Sequence, residues 1–129
     1  MKPRDNVLRL KRFEAAEKQR KVASIETMIL DFEHMVLDLS RQIAAEEERT
    51  GVKEAAHFAY STFAKAAAQR RANLQTSIAD LRVKLDVARR EHEAAAGDLK
   101  KLEPTIESRD ADRLVHKSDQ AGASIGGTP

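Results

Sequence analysis

The sequence predicts an all-α fold, a long antiparallel two-helix coiled-coil hairpin with a flexible tail, on three observations. Apolar residues recur at alternating steps of three and four along two long stretches. Of the 129 residues 34% are charged and only 4% aromatic, too few rings for the core of a compact globule. The enrichment in Ala, Leu, Glu, Lys and Arg is that of long helices. Three function classes fall away as well. With no cysteine there is neither a disulfide scaffold nor a thiolate zinc site. No run approaches the roughly 18 apolar residues of a membrane span. Arg9, Lys11 and Arg12 interrupt any signal-like run near the start, so a soluble, intracellular protein is expected.

The first helix is expected over residues 3–49. Pro3 suits its first turn, where a missing N–H costs nothing. Val22, Ile25, Ile29, Phe32, Val36, Leu39 and Ile43 then form an unbroken a/d seam. Traced backwards, the same register meets Ala15 and Leu8 but also Lys18 and Lys11, so the seam weakens toward the start. Glu14 to Lys18 and Glu17 to Lys21 are candidate i,i+4 ion pairs. Gly51 is the expected left-handed terminator, opening a loop over about residues 50–60.

The second helix is expected over 61–117, capped by Ser61 or Thr62, although Lys53-Glu54-Ala55-Ala56 has the composition of an earlier helical turn. Its seam reads Ala64, Ala67, Arg71, Leu74, Ile78, Leu81, Leu85, Ala88, His92, Ala95, Leu99, Leu102 and Ile106. Asp80 to Lys84 and Asp86 to Arg90 are further candidate pairs. Pro104 is expected to kink or break this helix, and residues 118–129 to form the flexible tail. Two such helices and a short loop make a hairpin with arms about 70 Å long. Val22 then lies near Leu85 and Leu8 near Leu99. The alternative, a parallel dimeric coil, would force Gly51 into a continuous helix.

Charge is uneven along the chain. Residues 1–21 carry eight Lys or Arg against three acids, whereas residues 22–50 carry seven acids against Arg41 and Arg49. The basic opening suits phosphates or an acidic partner, or is simply a solvated helix face. With Phe13 its only ring, it lacks a stacking platform, and nucleic acid is not an expected partner. No catalytic constellation is visible. The four histidines are dispersed, and Glu91-His92-Glu93 diverges by about 100° per residue. Glu46-Glu47-Glu48 reads as a solvated helix end, and no Gly-rich phosphate loop occurs. No enzymatic activity, cofactor or metal is expected. His57, Phe58, Tyr60 and Phe63 crowd aromatics into the turn. They are either anchors for a partner or, for Phe58 and Phe63, plugs of the open end, with Tyr60 facing out.

The opening Arg9-Leu10-Lys11-Arg12-Phe13, with Glu17-Lys18, Val22-Ala23 and Ile25-Glu26, resembles the FliJ family of flagellar export proteins, in particular its alphaproteobacterial branch. Glu46 to Arg49 with Gly51, then His57-Phe58-Ala59-Tyr60 and Arg70-Arg71 with Asn73-Leu74, extend the likeness to about residues 1–90. The resemblance implies an antiparallel coiled coil like the central stalk of rotary ATPases. It also implies a cytoplasmic place beside the inner-membrane flagellar basal body, without membrane insertion. Partners so implied are the hexameric flagellar export ATPase, which the stalk enters and stimulates, the transmembrane export gate and the export chaperones. On this basis Arg9, Lys11, Arg12, Lys18 and Arg20 are expected to meet the ATPase, and Phe58, Tyr60 and Phe63 the gate. Two alternatives stand beside it: a coiled-coil holdase or scaffold without an ATPase partner, and a nucleic-acid-associated coil.

Overall fold

The computed structural model describes residues 3–120, with side chains through residue 103. Two helices make it up, α1 over Pro3–Thr50 and α2 over Thr62–Gln120, and no strand occurs among the described residues. The all-α antiparallel pairing expected from the periodicity is the fold observed. α2 continues through Pro104, so of the kink or break expected there the break does not occur. The loss of one backbone hydrogen bond does not end the helix there. The expected tail begins within α2 and from residue 121 lies outside the described residues.

The chain divides into two units, residues 19–90 and residues 1–18 with 91–129. In the first, the seam is buried as its spacing requires. Val22, Ile25 and Ile29 of α1 cluster with Ile78, Leu85 and Ala88 of α2, and Phe32, Val36 and Leu81 pack against them. Nearer the loop, Leu39 and Ile43 meet Ala64 and Ala67, flanked by Tyr60, Ala68 and Leu74. Alanine on one helix opposite leucine or isoleucine on the other lets the backbones approach while still filling the interface. Arg71, the charged seam residue of α2, stays half-buried and donates from its guanidinium to Ser40 Oγ at 3.0 Å. Beside the seam, Glu26 pairs with Arg89 at 3.1 Å and Glu33 with Arg82 at 3.0 Å. Both pairs join e positions, which face each other in antiparallel coils and lie one heptad apart on each helix.

In the other unit Leu8 and Ala15 are buried, and His92, Ala95, Leu99 and Leu102 are half-buried. The seam lysines behave differently from surface lysines. Lys18 reaches across to Glu91 at 3.0 Å instead of pairing with Glu14, and Lys11 takes Glu14 at 3.5 Å. Lys18 at its d position points at the neighbouring helix and its ammonium finds an acid there, whereas Lys11 is satisfied within α1.

The loop between the helices is tied at both ends. Gly51 adopts φ 75° and its N–H donates to Glu47 O at 2.9 Å, the left-handed helix stop. Ser61 caps α2, accepting the Ala64 N–H on its Oγ at 3.2 Å. Between them Ala55-Ala56 forms a turn, not the helical turn its composition suggests.

Replacing Ile29, 7% exposed at the centre of the larger cluster, with Ala is expected to cost about 3 kcal/mol. Urea unfolding followed by helical circular dichroism measures this, and a loss under about 1 kcal/mol would contradict the assigned seam.

Candidate functional site

No reactive constellation emerges among the described residues: no three His, Asp or Glu side chains converge as a metal site. Glu91 is drawn to Lys18, away from its neighbours His92 and Glu93. A shallow groove of about 330 Å³ beside the seam, lined by Glu33, Val36, Gln75, Ile78 and Arg82, holds the Glu33–Arg82 pair. It offers no nucleophile or acid–base couple. What the fold presents instead are two surfaces suited to partners, one in each unit.

The first surface is the loop. Phe58 is 96% exposed, with His57 stacked on it at a centroid distance of 4.7 Å and an interplanar angle of 23°. The backbone beneath them is hydrogen-bonded. His57 N–H donates to Glu54 O, Tyr60 N–H to His57 O, and Ala59 N–H to His57 Nδ1, each at 3.0 Å. The imidazole nitrogen therefore acts as an acceptor that closes the turn under Phe58. Phe63, in the first turn of α2, is 55% exposed.

Tyr60 does the opposite of the expected. It does not face out. Its ring packs against the Leu39, Ile43, Ala64 and Ala67 cluster, and its hydroxyl donates to Glu47 Oε2 at 2.8 Å. That hydrogen bond to the carboxylate, with partial burial, raises the phenol pKa above its ordinary value. The plug of the hairpin end is thus Tyr60, and Phe58 is the outward ring.

Glu46 completes the brace. Its carboxylate accepts from Arg49 Nε at 3.1 Å and from Ser61 Oγ at 2.9 Å. These hydrogen bonds favour the ionised form and pull its pKa from 4.5 to about 2. Two of the three consecutive glutamates are therefore structural ties, not a solvated helix end. Heptad reasoning carries no signal for them, because they act across the loop and outside the seam.

The second surface is the basic opening of α1. Arg9 is exposed. Lys11 pairs with Glu14, Arg12 donates from Nε to Glu103 Oε1 at 3.0 Å, and Lys18 donates to Glu91. Arg20 falls in the other unit and also has an interaction partner. The five cations thus do not form one open band, since Arg12 and Lys18 serve to join the helices. Sequence reasoning also missed the apolar residues interleaved with them: Val7, Leu10 and Phe13 are 46, 55 and 59% exposed. They lie off the a/d register, so a seam count passes over them.

No helix of the described residues is long and apolar enough to cross a membrane. Comparison of the chain with protein-family models, with curated proteins and with solved structures finds no match.

The Glu46 brace predicts an acid dependence. A carboxylate whose folded pKa lies below its ordinary value stabilises the fold above about pH 4.5, and this contribution is lost as the pH falls toward 2. Glu46→Gln is expected to lower the thermal midpoint at pH 7 and to flatten the loss of stability between those two pH values. An unchanged acid profile in the variant would remove Glu46 from the brace.

Proposed function

We propose that this chain is a non-enzymatic stalk of the bacterial flagellar type III export apparatus, working beside the inner-membrane basal body. In this reading it enters the ring of the export ATPase, stimulates hydrolysis and links the ring to the transmembrane export gate and to export chaperones. The observation that carries the reading is the antiparallel helix pairing with a braced, aromatic loop, which agrees with the architecture implied by the FliJ resemblance. Two features of the chain support it further. The seam of residues 3–18 is built on Leu8 and Ala15 with lysines between, so the pairing there is weaker than at Val22–Ile29 and polar groups stay near the surface. Among the five cations expected to meet the ATPase, Arg9 is exposed and available to an acidic ring lining. At the loop, Phe58 and Phe63 are the rings available to the gate, while Tyr60 holds the loop that presents Phe58.

The scaffold alternative has its own support in Met28, Met35, Leu30 and Leu37. Met28 with Met35 and Leu30 with Leu37 are exposed apolar pairs in heptad steps on two opposite flanks of α1, each a short contact point for a partner.

ATP hydrolysis by the flagellar export ATPase, titrated with this protein, separates the two. Saturable stimulation below one chain per ATPase subunit is expected for a stalk in a ring, and Arg9→Glu is expected to weaken it about fivefold. A folded chain that leaves an active ATPase unstimulated would favour the scaffold.

A further inference from the structure

We infer that the outward face of the first turns of α1 docks on an anionic lipid surface. Within residues 3–18 this helix has two apolar faces. Leu8 and Ala15 are buried toward α2, while Val7, Leu10 and Phe13 stand 46, 55 and 59% exposed. At about 100° per residue these three span roughly a third of the circumference, on the side away from Leu8 and Ala15. Cations border the stripe on both edges, Arg9 beside Phe13 and Arg4 beside Val7, while Lys11 on the Val7 side is taken by Glu14. Asp5 is the one acid among the first thirteen residues. An apolar face with basic residues along both margins is the pattern of a helix lying in a bilayer interface. There the rings and branched chains enter the acyl boundary and the cations reach back to headgroup phosphates.

The stripe's extent favours lipid over a protein helix. Continued along the same face it meets Glu14 and Glu17, so it offers two turns of apolar contact and no seam for knobs-into-holes packing. A lipid surface needs only that the side chains reach it. The loop provides a contrast within the same chain. Phe58 is more exposed than any residue of the stripe, but around it Glu46, Glu47, Glu48 and Glu54 stand against Arg49 and Lys53. That excess of carboxylates is repelled by an anionic surface. The inference goes beyond the stalk reading, and its failure leaves ATPase stimulation untouched.

The test is co-sedimentation of the full chain with vesicles of phosphatidylcholine, with and without phosphatidylglycerol, at low and high salt. Binding is expected only to the anionic vesicles and is expected to weaken with salt. Leu10→Gln with Phe13→Gln is expected to lower the partition coefficient by about tenfold or more, and Arg9→Gln by about fivefold. Phe58→Ser is expected to leave it unchanged. These side chains are exposed, so helicity by circular dichroism is expected to persist in every variant. Failure of the helical wild-type chain to bind anionic vesicles would overturn the proposal. So would equal binding to neutral ones, or undiminished binding by the Leu10, Phe13 double variant.

Discussion

Everything in the unit of residues 19–90 depends on one interface, the a/d seam that α1 and α2 bury between them. A pair of helices has no second layer to share the work of burial. Val22, Ile25 and Ile29 against Ile78, Leu85 and Ala88, with Leu39 and Ile43 against Ala64 and Ala67, therefore form the buried core there. The polar features arrange themselves around this constraint. Arg71 enters the seam only with Ser40 to receive its guanidinium, and the ion pairs of Glu26 and Glu33 sit one step outside it, where water still screens them.

The seam was also what the sequence made legible. All seven positions from Val22 to Ile43 are buried or half-buried, and so are the described seam positions of α2, His92 and Arg71 included. Heptad spacing is a local property and survives translation into structure because each residue's face follows from its number. The Gly51 stop and the serine cap at Ser61 were readable for a similar reason, being short-range backbone requirements. Of the kink or break expected at Pro104, the break does not occur, because the local loss of one hydrogen bond does not end a helix that runs on to Gln120.

The candidate surfaces were legible by composition and not by arrangement. Aromatics crowded in the turn point to the loop, yet which ring turns inward depends on Glu47, thirteen positions back in α1. Cations crowded at the start of α1 marked that segment, but Arg12 and Lys18 were claimed by Glu103 and Glu91 of α2. Glu47 lies across the loop and Glu103 and Glu91 across the helix pair, and heptad spacing points to none of them. The exposed stripe of Val7, Leu10 and Phe13 shows the complementary blind spot, since a pattern search tuned to one face discards the other.

Two independent devices specify the same alignment of helices near the loop. The seam alone would tolerate a slip of one heptad, because it repeats. The ion pairs would not tolerate it equally. Moving α2 by seven residues in one direction sets Glu26 against Arg82 and leaves Glu33 facing Gln75. Moving it in the other direction sets Glu33 against Arg89 and leaves Glu26 facing Ala96. One pair is lost either way. Such pairs are worth only about 0.5 kcal/mol each at an exposed site, too little to specify the register by themselves. The larger restraint is the loop, where Tyr60 on Glu47 and Ser61 on Glu46 attach the start of α2 to the end of α1 in one position only. A slip would break both hydrogen bonds and pull Tyr60 out of the apolar cluster, leaving that end of the seam open. The braced loop therefore has two consequences from one set of contacts: it sets the helix register, and it holds the turn from which Phe58 projects.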